Sequence, residues 1–235
     1  MTNIVPLNNK THKGLRVQTG SSARYGDAQR FVPVIVNEFG LLVPHFPIFL
    51  SKDSETGSFY CGAMLGIDEG ENLFLAEGFD GYRPLNLRRG PFFTAGSDIA
   101  IDLDHPRLDG GGQPLFTDAG EPSDYLKSIA GLFQDLRPGL EQTRIFVETL
   151  MKLKLVEPID ISLAFDDGTR RKLEGLYTVN PDSLKKLADA DVVNLFRRGY
   201  LQAIYLMIAS PKQVPVLAQR KNKALLKSSA TLVGA

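Results

Sequence analysis

The chain has a single cysteine, Cys61, in 235 residues. One thiol can form no internal disulfide and no cluster of the kind that holds zinc or iron–sulfur, and it fits a reducing compartment. The sequence also has no excess of either charge, with 27 Lys and Arg against 27 Asp and Glu. No long-range field would therefore draw it to nucleic acid or to an anionic bilayer. No uninterrupted apolar run approaches the roughly 20 residues that span a hydrocarbon core. Met1 to Lys10 carries neither the charged start nor the apolar stretch of a secretory signal. These absences set the expectation of a cytoplasmic protein with no nucleic-acid partner and no membrane span.

Familiar catalytic signatures are missing as well. There is no Gly-x-Ser-x-Gly elbow and no His-Glu-x-x-His pair. Gly110-Gly111-Gly112 lacks the Gly-Lys-Ser/Thr ending of a phosphate loop and reads as a flexible turn. Asp102-Leu103-Asp104-His105 has metal-ligand residue types, but on a strand Asp102 and Asp104 share one face and His105 points away. Hard cations also need more oxygen ligands than this string supplies. Cys61 sits in an apolar strand pattern and reads as buried and inert. No metal or cofactor is expected, and no residue is assigned a catalytic role.

What is there is an ordinary globular composition, 43% hydrophobic and 23% charged. The first half reads as strands and short loops: Phe31 to Val36, Pro47 to Leu50, Phe59 to Leu65 and Ile99 to Leu103, with a short helix over Glu38 to Phe46. Asp53 to Ser58 is a polar turn that makes the second and third of these strands a hairpin or antiparallel neighbours. The second half changes period. Leu126, Ile129, Ala130, Phe133 and Leu136 fall on one helical face. Arg137-Pro138-Gly139 reads as a break, so that a second helix carrying Ile145, Phe146, Leu150 and Leu153 would fold back antiparallel to the first.

Ile159, Ile161, Leu163 and Phe165 alternate with polar or small residues, Asp167-Gly168 is a turn signal, and Lys172 to Val179 reads as the returning strand. Asn180-Pro181 starts a helix as N-cap and first-turn proline. Asp191 is read as the cap of the next helix and Gly199 as its end. Leu201, Ile204, Tyr205 and Ile208 form a last apolar stripe before Ser210-Pro211. Residues 220–235 read as a flexible basic tail. Arg197 and Arg198 read as a solvated helix end, with contact to an acidic partner the less favoured view. The expected fold class is α+β, with a mostly antiparallel sheet in the N-terminal half and a helix-rich C-terminal half carrying one β-hairpin. A single domain over residues 1–235 is expected, with a soft subdivision near 110–120.

Four blocks carry a resemblance. They are Val32 to Phe39 with His45 to Phe49, Leu65-Gly66 with Glu71 to Phe74, Tyr82-Arg83-Pro84 with Arg88 to Phe92, and Asp167-Gly168 with Gly175 to Asn180. Their order and spacing resemble the SapC family of bacterial proteins over roughly Phe31 to Leu217. The family name refers to secretion of surface-layer protein. The resemblance implies an accessory role and brings no catalytic residues to transfer. Relatives accompany outer-membrane receptor and flavin-dependent halogenase-like genes, which implies a partner in a secretion, receptor or halogenase-like pathway.

The segment Tyr82 to Phe93 sets Arg83, Arg88 and Arg89 among aromatic, proline and leucine residues. A guanidinium there is expected to be partly buried against a specific partner. One reading is a fork for a carboxylate or phosphate of a ligand. The other is an internal ion pair of Arg88-Arg89 with Glu38 or Glu71. Glu38, His45 and Asn72 could add a polar pocket. The candidate binding residues are thus Glu38, His45, Asn72, Tyr82, Arg83, Arg88 and Arg89. The leading function is a non-enzymatic accessory or binding protein acting through protein or peptide contact. The alternative is an enzyme or small-ligand-binding protein with a site around Glu38, His45, Asn72 and Arg88, and a third reading is a structural homodimer subunit.

Overall fold

A computed structural model of the chain describes residues 3–79, 81–96 and 98–233, except the side chains of 228–233. In chain order the strands and α-helices are β1 (Ile4–Pro6), β2 (Arg16–Val17), β3 (Phe31–Pro33), α1 (Phe39–Leu42), β4 (Ile48–Lys52), β5 (Phe59–Met64), α2 (Leu85–Arg88), β6 (Phe92–Ala95), β7 (Asp98–Asp102), β8 (Gln113–Pro114), α3 (Asp124–Lys152), β9 (Val156–Ala164), β10 (Arg170–Val179), α4 (Pro181–Lys185), α5 (Asp189–Arg197), α6 (Tyr200–Ala209) and α7 (Val214–Val233). The fold is α+β, as expected, and every strand pairing is antiparallel.

The chain divides into two compact units, each made of two separate stretches: Met1–Ala28 with Leu85–Pro138, and Gln29–Pro84 with Gly139–Ala235. Their boundaries fall at 28/29, 84/85 and 138/139, and not near 110–120.

In the first unit, β1-β7-β6 form a three-stranded sheet and β2 pairs with β8. Phe92 opposes Ile101 in this sheet, both fully buried. The N-terminal half of α3 adds Leu126, Ile129, Leu132, Phe133 and Leu136 to the buried set at helical spacing.

In the second unit the five-stranded sheet has the order β3-β5-β4-β10-β9. The β9–β10 hairpin forms where its alternation predicts, and its strand β10 joins the N-terminal strands through β4, Tyr177 opposing Leu50. Asn180 caps α4 as expected, its Oδ1 accepting the Ser183 N–H at 2.8 Å. The core holds Ile35, Phe39, Leu42, Phe46, Ile48, Phe49, Leu50 and Phe146. Ser210, fully buried, fastens the end of α6 to β4: its Oγ accepts the Ile48 N–H at 2.9 Å and lies 2.9 Å from the Met207 carbonyl.

Several elements differ from the sequence reading. The run Phe31 to Val36 leaves the sheet after Pro33, and Val36–Glu38 is a 3-10 turn leading into α1. Helix α5 starts at Asp189 with Ala188 as N-cap, and Asp191 lies in its first turn. The buried stripe of α6 is Tyr200, Ala203, Ile204 and Met207, leaving Tyr205 outside. Through the basic end, helix α7 continues from Arg220 to Val233, and residues 234–235 lie outside the described residues.

The helix pair expected around Pro138 is one 29-residue helix, α3. Proline at 138 removes the N–H that would meet the Gln134 carbonyl. Both residues are exposed, so water can serve that carbonyl. Just beyond, the bare Cα of Gly139 admits Ile35, whose Cδ1 occupies the space a Cβ would need. Thr143 then grips both sides: its Oγ1 donates to the Gly139 carbonyl at 2.6 Å and accepts the Val36 N–H at 2.8 Å. Among the described residues no helix is long and apolar enough to cross a membrane.

Because the helix is continuous, Pro138→Ala restores a missing backbone bond without moving a neighbour. It is expected to raise stability by about 1–3 kcal/mol, read as a higher thermal midpoint. A lowered midpoint would mean that the proline marks a real interruption.

Candidate functional site

The arginine–aromatic segment is divided between the two units. Tyr82 and Arg83 fall in the second unit with Glu38, His45 and Asn72, whereas Arg88 and Arg89 fall in the first. In the second unit, Glu38 is 2% exposed at the turn into α1. Its carboxylate accepts the Ile35 N–H at 3.1 Å and the Tyr82 hydroxyl at 3.0 Å. Tyr82 follows Gly81, which has a φ of +110° and passes so close to His45 that a Cβ would lie 2.5 Å from His45 Nε2. Only glycine fits there, on both counts.

His45 stacks obliquely on Phe46, and Phe46 joins Phe74 and Phe79 in an edge-and-stack cluster with centroids 4.8–6.3 Å apart. The Arg83 guanidinium lies 5.8 Å from the Phe79 ring centre. Asn72, buried, turns the chain into this cluster by accepting the Phe74 N–H at 3.0 Å. The structure therefore brings Glu38 to Tyr82 and His45 to the turn beside it. The carboxylate there works as a backbone and phenol anchor, which is packing chemistry in a buried setting.

In the first unit, α2 ends at Arg88, whose side chain is exposed and makes no hydrogen bond or ion pair among the described residues. Arg89 turns inward. Its Nε donates to Asn86 Oδ1 at 3.2 Å, its Nη1 to the Phe92 carbonyl at 2.8 Å, and its guanidinium sits 4.3 Å from the Phe93 ring centre. Burial holds Arg89 below the ordinary arginine value. Within its own unit Arg89 is thus held by an amide, a carbonyl and a ring, and Arg88 is exposed.

The buried charge pair of the first unit is one that the sequence reading did not single out. Arg107 is 2% exposed. Its Nη2 donates to Asp27 Oδ1 and Oδ2 at 2.9 and 2.7 Å, and its Nη1 to the carbonyls of Gln18 and Gly20, each at 2.7 Å. The Tyr25 ring covers the guanidinium at 4.9 Å. Asp27 also accepts the Ser22 N–H at 3.0 Å. One guanidinium thus closes the loop from Gln18 to Asp27. No local signal marks it, because its partners lie 80 to 89 positions away.

His105 caps the turn that carries Arg107, its Nδ1 accepting the Arg107 N–H at 3.2 Å. Burial, helped by the Arg107 charge, holds His105 below its usual value. Asp102, from the same string, accepts the N–H groups of Asn3 and Asp104 at 3.1 and 3.2 Å, so it organises a turn.

Glu71 has its partner in the second unit. Lys221 of α7 reaches Glu71 at 2.6 Å and Asp68 at 2.7 Å, and Asp68 also meets Arg171 at 2.7 Å. Burial works against the ammonium, yet the two carboxylates outweigh it and hold Lys221 above the ordinary lysine value. Bonding to Lys221 first and Arg171 second holds Asp68 below the usual carboxylate range. Arg220 covers the Phe74 ring at 4.3 Å and pairs with Glu77 at 3.2 Å. Helix α7 is therefore clipped to residues 68–77 by its own basic residues. Burial pushes the Cys61 thiol up to about 12, which makes it a poor nucleophile, as its strand position predicts.

The SapC family model aligns with residues 7–217 of the chain. No curated protein and no solved structure matches significantly.

Two outcomes follow from the buried pair and its cap. Asp27→Asn leaves Arg107 buried without a counter-charge and is expected to cost about 3–5 kcal/mol in urea unfolding. A loss under about 1 kcal/mol would mean that the pair is not load-sharing in solution. For His105, a folded value below the unfolded 6.5 means that the unfolded chain binds more protons, so its stabilisation is present above about pH 6.5 and is lost as pH falls. His105→Asn keeps an acceptor for the Arg107 N–H but cannot titrate, so its stability should change less than that of the parent between pH 7 and 5. Parallel pH profiles would remove His105 from the account.

Proposed function

The chain belongs to the SapC family, and we propose that it is a non-enzymatic accessory protein of that type, acting in the bacterial cytoplasm through protein or peptide contact. It would support a secretion or outer-envelope uptake pathway, with a receptor- or halogenase-linked component as the contact. The observation that carries this reading is the outward chemistry of the second unit's helices. Phe196 on α5 is 72% exposed and Tyr205 on α6 is 59% exposed. On α5, Val193, Phe196 and Arg197 lie at positions i, i+3 and i+4, one face of the helix, and all three are exposed. Aromatic residues with arginine are the composition enriched in the centres of protein–protein interfaces.

The buried Glu38 and the half-buried Glu71 support the same reading from the other side. Glu38 and Glu71 are engaged with Tyr82 and Lys221 inside the unit. Acid–base work would first have to release them from those bonds.

Affinity capture of the tagged protein from its native host tests this, with the double variant Phe196→Asp, Tyr205→Asp as the control. The expected result is a co-purifying protein that the variant loses by at least about tenfold while its thermal midpoint stays put. A partner captured equally by both proteins would move the contact elsewhere, and turnover of a small molecule by the purified chain would overturn the non-enzymatic reading.

A further inference from the structure

Within the second unit, α1 and α6 border a concavity of about 540 Å³, to which Asn37, Gln142, Arg198, Gln202, Ala203 and Leu206 contribute. The volume is in the range of roughly 300–1,000 Å³ usual for ligand sites. No carboxylate lines it, and Arg198 is its charged member. Arg198 is held in place by neutral groups. Its Nη2 donates to the Tyr200 hydroxyl at 3.0 Å, its Nη1 approaches Thr149 Oγ1 at 3.4 Å, and its guanidinium lies 4.4 Å from the Tyr200 ring centre.

Among the described residues no acid comes within ion-pair range of Arg198. The acids on the neighbouring stretch of α3, Glu141 and Glu148, are both bound to Arg144, at 2.6 and 2.5 Å. Arginine has five N–H donors, and only two are engaged here, so three remain for a planar acceptor. Besides Tyr200, whose hydroxyl is taken up by Arg198, the other polar side chains around the hollow are the primary amides of Asn37, Gln142 and Gln202. Each carries a donor and an acceptor side by side, which is the pairing that an extended peptide backbone needs. Ala203 and Leu206 supply apolar surface between them.

We propose that this hollow binds an extended peptide segment through a carboxylate seated on Arg198, its backbone meeting the three amides. The carboxylate is either the C-terminus or an Asp or Glu side chain of the segment. The site gives the peptide contact of the accessory role a location, and it rests on that reading. Arg198 also stands at the C-terminal cap of α5, where a positive charge favours the helix. That role would show in stability and not in peptide affinity.

The test is a peptide array probed with the full chain. Three peptide classes are compared: free C-terminus without Asp or Glu, amidated with Asp or Glu, and amidated without either. Binding is expected in the first class if the terminus is read, or in the second if a side chain is read, and not in the third. Arg198→Gln should weaken the binding by about tenfold or more, whereas loss of the helix-end charge acts on the thermal midpoint and does not by itself lower peptide affinity. Gly40 also lines the hollow, and a Cβ there would meet nothing within 4 Å. Gly40→Leu should therefore block the hollow without disturbing the core and weaken binding in the same way.

Equal binding of the third class, an unaffected Arg198→Gln variant, or no binding to any class overturns the proposal. Cellular capture separates this failure from that of the accessory role: a partner retained by Arg198→Gln but lost with Phe196→Asp, Tyr205→Asp leaves the role standing and removes the hollow from it.

Discussion

A charge taken out of water must meet a counter-charge or a full set of dipoles, at a cost otherwise of several kcal/mol per ion. That requirement organises both units of this chain. In the first, Asp27 and two carbonyls surround the Arg107 guanidinium and tie a loop near the N-terminus to the turn after β7. In the second, Glu38 holds the entry to α1 against Tyr82, and Lys221 joins α7 to Asp68 and Glu71. Each of these groups has an architectural task. Arg88, Arg197 and Arg198 are exposed and meet no acid among the described residues, Arg198 being held by Tyr200 and Thr149 alone, and recognition is therefore sought on the surface.

The parts of the fold that were legible in the sequence are those set by local chemistry. The alternation in Ile159 to Phe165 and the Asp167-Gly168 turn specify the β9–β10 hairpin, because pleat and turn type are short-range properties. Asn180-Pro181 specifies a helix start for the same reason. What was not legible depends on partners far away in sequence. Pro138 reads as a break, yet α3 runs through it, because the proline lies on the solvent side while Gly139 and Thr143 are engaged by the Ile35–Val36 backbone and side chain. The basic end reads as a solvated tail, yet Arg220 and Lys221 meet acids about 150 residues earlier. The two-unit division is hidden for a related reason, since each unit draws on two distant stretches and no composition shift marks the joins.

The candidate site was legible in part. The contact of Tyr82 with Glu38 and the approach of Gly81 to His45 agree with grouping these residues, although 44 positions separate the first pair. The grouping of Arg88 with Glu38 and Asn72 mixes residues of different units. Arg107 gave no sign of itself, since a lone arginine after His-Pro looks like any surface turn. Arg198 was visible only as part of a basic helix end. Its significance rests on the amide-lined hollow and on the capture of Glu141 and Glu148 by Arg144, neither of which a linear pattern encodes.

Charge burial that fixes a guanidinium group persists in solution and slows the motion of its N–H groups. Arginine-selective 15N labelling of the full chain, with NMR of the side-chain Nε and Nη groups, reads this residue by residue. The expected spectrum shows Arg107 with separate, slowly exchanging Nη signals, locked by Asp27 and the Gln18 and Gly20 carbonyls, and Arg88 with averaged, fast-exchanging ones. An Arg107 spectrum indistinguishable from that of Arg88 would contradict the central claim.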